Sequence, residues 1–383
     1  MPRFSNTPNV PRIGQASSRP VPGVFSEYFA WISTLRHVTI FTIRTNRLLA
    51  MPVSTTKLAD RFGRQITYLR VSITDRCDFR CIYCMSEDMA FLPRAEILSL
   101  EEIATVCRAF VSLGVDKIRI TGGEPLVRKG ALDLLRELGQ LEGLRELVLT
   151  TNGSRLAETA AALKAAGVKR INVSLDSIRP ERFRQMTRIG DLGRVLRGID
   201  AALAEGFEKV KLNAVVLKNR NHDEVCDLVA FAIGKGLDLS FIEEMPLGRI
   251  DGHDRAEEYY SSDQIKRDLE QHFNLLPSPE TTGGPSRYFR IGGTRTRIGF
   301  ISPHSNNFCA TCNRVRLTAE GRLLLCLGNE HSVDIKRVLR TAPGDEDTLK
   351  RALLDAMALK PERHFFDLGA EPVIFRHMSV TGG

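Results

Sequence analysis

From residue 66 onward, short runs of β-branched and aliphatic residues alternate with longer stretches whose apolar positions recur at helical spacing. The short runs predict strands over 67–73, 117–121, 146–150, 170–175, 209–217 and 238–243. Between them, 99–113 and 156–166 predict amphipathic helices. Gly114, Gly167 and Gly206 each stand where a helix must end before the next strand, a place that favours the left-handed conformation. Strand and helix alternating this regularly imply parallel strands joined by crossover helices. The expected fold is α/β, a partial (β/α)6 barrel with its site at the C-terminal strand ends. An open doubly wound sheet satisfies the same pattern.

The rhythm changes after about residue 250. Residues 277–294 are rich in Pro, Gly, Ser and Thr and predict loop. Strands are expected over 295–302 and 316–326, the second folded at a hairpin turn on Ala319-Glu320-Gly321. A helix over 345–357 precedes an irregular tail ending Thr381-Gly382-Gly383. Three parts follow: an N-terminal extension, 1–50; a barrel, 60–250; and a C-terminal region, 251–383.

The chain carries a formal charge of +8, but its first 50 residues hold six arginines, no lysine and one acid, Glu27, and so account for +5 of it. The basicity belongs mostly to the extension and does not make the body a nucleic-acid binder. Charges interrupt the apolar stretch 25–43, so no run of about 18 uncharged apolar residues is present to span a membrane. The Arg-rich, acid-poor extension reads either as an organellar transit segment or as translation begun upstream of Met51-Pro52, where a compact protein starts.

Eight cysteines occur, and six fall into two triplets: Cys77, Cys81 and Cys84 as C-x3-C-x2-C, and Cys309, Cys312 and Cys326 as C-x2-C-x13-C. Bunching favours metal ligation in a reducing compartment over disulfides. That compartment is the cytoplasm, or the mitochondrial matrix if the extension is a transit segment. Cys107 and Cys226 lie in apolar helical stretches and read as small buried hydrophobes. The first triplet directly follows the first strand. Three close thiolates ligate three irons of a cubane cluster and leave the fourth open, whereas zinc calls for a fourth Cys or His, and no histidine follows closely. In the second triplet, thirteen residues suffice for a hairpin that returns Cys326 to the pair. Arg314 and Arg316, two apart on a strand, share a face and can act on one ligand. A structural zinc ribbon is the plainer alternative. At the end of the second strand, Thr121-Gly122-Gly123-Glu124-Pro125 lets backbone approach a ligand closely and offers Glu124 as acceptor for an ammonium.

The first triplet, with Tyr83 before its last cysteine, and the Gly-Gly-Glu-Pro run one strand later resemble the radical S-adenosylmethionine (SAM) enzymes. From about Met51 onward the chain resembles one family among them, the GTP 3′,8-cyclases of molybdenum-cofactor biosynthesis. The resemblance rests on the runs 69–77 (LRVSITDRC), 117–125 (KIRITGGEP), 150–153 (TTNG) and 171–176 (INVSLD), the second triplet and the terminal Gly-Gly. It implies two [4Fe–4S] clusters, one on Cys77, Cys81 and Cys84 that binds SAM, one on Cys309, Cys312 and Cys326 that meets guanine. Tyr83, Gly123, Glu124, Ser174 and Met245 then belong to the SAM site. Arg70, Lys117, Arg119, Thr150 and Lys211 belong to the GTP site. Arg314 and Arg316 face the nucleotide, and Gly382 and Gly383 insert toward the reaction centre.

In such enzymes SAM is cleaved to a 5′-deoxyadenosyl radical. In this family the radical removes the 3′ hydrogen of GTP, and the ribose attacks guanine C8. The resemblance further implies a homodimer, a flavodoxin- or ferredoxin-like reductant, and a cyclic pyranopterin monophosphate synthase that takes the product; neither nucleic acid nor membrane is an expected partner. One departure stands out: where the family shows Arg-Phe-Ile-Glu, this chain has Ser240-Phe241-Ile242-Glu243, so a guanidinium is missing unless a neighbour such as Arg249 replaces it. The rival readings are a peptide-maturing radical SAM enzyme, which generally has more C-terminal cysteines, and a zinc-dependent nucleic-acid-binding protein.

Overall fold

Among the described residues, twelve strands form one sheet. The computed structural model describes residues 57–248, 250, 252–368 and 376–382; the extension 1–50, Arg249 and Gly383 lie outside them. The strands are β1 (Tyr68–Ser72), β2 (Lys117–Thr121), β3 (Glu146–Thr151), β4 (Arg170–Ser174), β5 (Lys209–Val215), β6 (Asp238–Ile242), β7 (Leu275–Pro277), β8 (Arg287–Ile291), β9 (Arg297–Ile301), β10 (Arg314–Leu317), β11 (Arg322–Leu324) and β12 (Ser332–Asp334).

The six expected strands run parallel in sequence order. The C-terminal region adds a parallel strand at each end of that run, β10 beside β1 and β9 beside β6. Antiparallel pairs then finish both edges, β10-β11-β12 and β9-β8-β7. Residues from both ends of the parallel run, Arg314 on β10 and Ile301 on β9, line the same cavity. The sheet therefore curls into a partial barrel, the first of the two expected architectures, and stays open between its edge strands.

The alternation along each strand explains which way the sheet curls. Leu69 and Val71, Ile118 and Ile120, Ile171 and Val173, and Leu239 and Phe241 point outward into the core beneath the crossover helices. Helix Leu100–Ser112 covers this face with Ile103, Val106, Cys107 and Phe110, and a capping box between Ser99 and Glu102 fixes its start. Gly114, Gly167 and Gly206 take φ of 96°, 84° and 65° at their helix ends, as the spacing predicts. The intervening strand residues, Arg70, Arg119, Asn172 and Lys211 among them, face the concave side. A polar concave face is unusual for parallel strands, which are otherwise apolar on both sides, and marks that side as the site.

One expectation is corrected. Residues 277–294, read as loop from their composition, contain β8, because Arg-Tyr-Phe-Arg-Ile alternates well enough to pair with β9 despite its glycine- and proline-rich flanks. The expected hairpin is present: β10 and β11 pair antiparallel around Thr318–Gly321, and Cys326 leaves at its end. Among the described residues, no helix is long and apolar enough to cross a membrane.

Candidate active site

All six triplet cysteines line one cavity at the C-terminal ends of the parallel strands. The first triplet sits on the loop after β1. That loop is pinned from outside, since Arg80 and Ile82 donate their backbone N–H groups to the carbonyls of Thr187 and Met186, and Arg188 reaches the carbonyls of Arg80 and Met85. Asp78 accepts from Asn152 Nδ2 and Ser154 Oγ, both at 2.7 Å, which ties the loop to the end of β3. Burial pushes the thiols of Cys77, Cys81 and Cys84 upward, Cys84 to about 12, so their thiolates need a cationic partner.

The second triplet behaves differently. Burial would raise the Cys312 thiol, but Arg314 and Lys360 outweigh it and bring it down to about 7. Among the described residues, no three His, Cys, Asp or Glu side chains converge tightly enough to hold a single metal ion. Three thiols in each triplet, all facing one cavity, suit a group that takes one thiolate per iron.

The expected SAM-site residues Tyr83, Gly123, Ser174 and Met245 line the cavity. Gly123 is needed for its size: a Cβ there would fall 2.4 Å from the Arg76 carbonyl oxygen. Glu124 does not line the cavity. Its carboxylate is wholly buried and accepts from Thr151 Oγ1, Asn152 N–H and Leu126 N–H, at 2.7–3.0 Å. Burial pushes its pKa up to about 7 against these donors. In this conformation Glu124 fastens the Gly-Gly turn to the end of β3 rather than standing open to an ammonium. Glu124→Ala leaves three buried donors without their acceptor and is expected to cost at least about 2 kcal/mol of stability, with Glu124→Gln costing less. Denaturant unfolding of the iron-free full chain measures this.

Strand register explains how the basic residues meet. Arg316, Arg70 and Arg119 stand in one row across β10, β1 and β2, and Arg314, Tyr68 and Lys117 form the next row on the same face. Burial, then the neighbouring Arg70 and Arg314, hold Arg316 well below the usual guanidinium range. Burial likewise brings Arg70 down to about 10. Tyr68 sits among these cations. Burial alone would raise its hydroxyl, but Arg119, Arg70 and Lys117 carry it down to about 7. Several buried like charges on one face are tolerable when an anion joins them.

The individual cations are held in place. Arg119 donates to the Tyr68 hydroxyl and, at 2.8 Å, to Thr150 Oγ1. Lys117 pairs with Glu146 at 2.7 Å and donates to the Thr282 carbonyl at 2.8 Å, so it is less available than the sequence implied. Lys211 reaches Ser240 Oγ at 3.1 Å and the Tyr288 hydroxyl at 3.4 Å. Ser240 thus serves Lys211 and faces Gly299 and Ser286 across a narrow gap. Gly382 brings its carbonyl to Arg316 Nη1 at 2.5 Å and to Arg70 Nη2 at 3.4 Å.

Sequence reasoning missed four participants. Asp176 accepts from the Tyr83 hydroxyl at 2.8 Å and from Val215 N–H at 2.9 Å, and burial raises it to about 6. Tyr68 and Tyr288 orient the cations, and Lys360 touches the second triplet. Asp176 lies inside the run 171–176 but carried no assigned role; nothing local signals the others.

Residues 71–232 match the Radical SAM superfamily and residues 237–366 match Molybdenum Cofactor Synthesis C. In shape the chain is similar to SuiB of Streptococcus suis, solved with S-adenosylmethionine, at a TM-score of 0.53 and 15% identity, covering 74% of this chain and 68% of that one. The SuiB complex with precursor peptide SuiA gives a TM-score of 0.55 at 16% identity, covering 78% and 65%. Fold and site together define a radical SAM enzyme, a class whose members use SAM and a [4Fe–4S] cluster. The chain is 62% identical over 327 residues to the GTP 3′,8-cyclase of Pseudomonas entomophila (strain L48), covering 85% of this chain and 98% of the relative. It is 58% identical over 326 residues to that of Saccharophagus degradans, with the same coverage. The chain belongs to the GTP 3′,8-cyclase family.

Proposed function

We propose that this chain cyclises GTP to (8S)-3′,8-cyclo-7,8-dihydroguanosine 5′-triphosphate, an early step of molybdenum-cofactor biosynthesis. One observation carries the reading: two cysteine triplets and two neighbouring rows that together hold five cations and Tyr68 open into a single cavity. Cys77, Cys81 and Cys84 would hold the cluster that binds SAM, flanked by Tyr83, Gly123, Ser174 and Met245. Cys309, Cys312 and Cys326 would hold a second [4Fe–4S] cluster on the substrate side. Bound there, the first cluster and SAM would supply one-electron chemistry that yields a hydrogen-abstracting 5′-deoxyadenosyl group.

The chain's own residues bind, orient and shield. GTP brings about four negative charges, which Arg70, Lys117, Arg119 and Lys211 neutralise with Thr150 alongside. Tyr68 and Thr150 fix the Arg119 guanidinium, so little order is lost when phosphate arrives. Arg314, which reaches Cys312 Sγ, and Arg316, which neighbours Arg70, would orient the nucleotide. Asp176 holds the Tyr83 hydroxyl and thereby the ring beside Cys84. The tail at Gly382 helps close the cavity, and a closed cavity protects reactive intermediates from water. The same reading includes a homodimer, a flavodoxin- or ferredoxin-like electron donor and a cyclic pyranopterin monophosphate synthase acting next, all supported by the family resemblance.

The test is anaerobic incubation with SAM, dithionite and GTP deuterated at C3′. The expected result is 5′-deoxyadenosine whose formation GTP strongly accelerates and which carries the deuterium. Unlabelled 5′-deoxyadenosine, or none, overturns the reading.

A further inference from the structure

Lys360 follows the helix Glu346–Met357 and lies in none of the motifs above, yet its side chain is among the largest that are fully buried, at 1% exposure. A buried ammonium is stable only when its three protons find acceptors. All three acceptors here belong to the second cysteine hairpin. Nζ donates to the Leu325 carbonyl at 2.5 Å, to the Arg314 carbonyl at 3.0 Å and to Cys312 Sγ at 3.8 Å. Leu325 immediately precedes Cys326 and Arg314 follows two residues after Cys312. One ammonium therefore spans the two arms of the hairpin at the height of their cysteines.

A second cation holds the same region. Arg64 donates to the Cys309 carbonyl at 2.8 Å and to the carbonyls of Pro361 and Glu362 at 2.6 and 2.7 Å. Segment 360–362 is thus fastened to all three cysteine positions by two side chains distant from them in sequence. The two cations differ in one respect. Asp60 pairs with Arg64 at 2.6 Å, whereas among the described residues no carboxylate forms an ion pair with Lys360. The sulfur that Lys360 faces is Cys312 Sγ, which would be a thiolate with a cluster bound there.

We propose that Lys360 is a positioning residue for the second cluster, setting the geometry of Cys312 and Cys326 and placing a fixed positive charge against it that eases its reduction. The inference rests on the reading of Cys309, Cys312 and Cys326 as a cluster site. A charge-assisted N–H···S contact stabilises the reduced, more negative form, so it raises the reduction potential. Partners standing behind metal ligands typically change metal retention ~10–100-fold when removed.

The experiment uses the full-length chain with Cys77, Cys81 and Cys84 replaced by alanine, so that only the second triplet reports. In that background Lys360→Gln keeps hydrogen-bond donors without the charge, and Lys360→Met keeps neither. Each is reconstituted anaerobically with iron and sulfide, titrated potentiometrically by EPR, and challenged with a chelator. The expected result is a lower midpoint potential in both variants, with Lys360→Met releasing iron at least about tenfold faster than its parent and Lys360→Gln in between. Parental potential and iron retention in both variants overturn the proposal while leaving the second cluster intact. So does a lowered melting temperature of the iron-free variants with unchanged potential in the folded fraction, which makes Lys360 a structural clamp only. Failure of the Lys360 parent to take up any iron overturns the cluster reading together with it.

Discussion

Replacing any one of Cys77, Cys81 and Cys84 by serine is expected to abolish 5′-deoxyadenosine formation and to lower bound iron from about eight to about four per chain. The size of the effect follows from how the loop is built. Backbone donors at Arg80 and Ile82, the Arg188 guanidinium and the Asp78–Asn152–Ser154 links hold it to two neighbouring elements. A loop fixed this firmly has no slack to recruit another ligand, and a serine hydroxyl is a poor substitute for a thiolate. Burial already opposes ionisation at these positions, so the positive irons of a bound cluster would be what makes three thiolates tolerable there. The matching change at Cys312 should also remove about four irons, but from the other end of the cavity. That variant should still cleave SAM in a slow, GTP-independent reaction. Iron analysis and chromatography of the quenched reaction distinguish the two. Full 5′-deoxyadenosine formation in a Cys81→Ser chain would remove the first triplet from the chemistry.

The parts of this architecture legible in the sequence are those set by local pattern. Alternation locates the six central strands to within two residues, and positive φ at Gly114 and Gly167 follows from their places at helix ends. Cysteine spacing alone separates the two triplets. What the sequence hides is long-range pairing. Nothing in Arg314-Val315-Arg316 says that it lies beside β1, because that neighbour is 246 residues earlier at Tyr68. Once the pairing is known, the electrostatics become intelligible: register alone puts Arg316 next to Arg70 and Arg70 next to Arg119. The same limit hides Lys360, whose acceptors belong to a hairpin distant in sequence. Composition misleads once, at β8, where glycine- and proline-rich flanks conceal an edge strand. At Glu124 the direction of the carboxylate depends on Thr151 and Asn152, which only the folded chain brings near.

Gly382→Ala is expected to lower the rate of GTP cyclisation by at least about a hundredfold, with the iron content and SAM binding retained. Gly382 adopts φ of 78°, where a side chain is strained, and a Cβ there would fall 2.2 Å from Thr121 Cγ2. Thr121 ends a buried central strand and cannot yield, so the tail must leave instead. Leaving has consequences at both ends of the site. The Gly382 carbonyl abandons Arg316 and Arg70, which frees two guanidinium groups from the orientation they hold toward the cavity. The backbone N–H of Ser379, in the terminal turn Met378–Thr381, withdraws from the Cys84 thiol. Because the segment is also anchored by Arg376 to Glu330 and the Asn329 carbonyl, the displacement is local and the barrel stays folded. Steady-state kinetics with GTP, alongside iron analysis and SAM binding, measure the outcome. A Gly382→Ala chain of normal activity would mean that the tail is a plug displaced during turnover, and that Arg70 and Arg316 take their working orientation from the nucleotide alone.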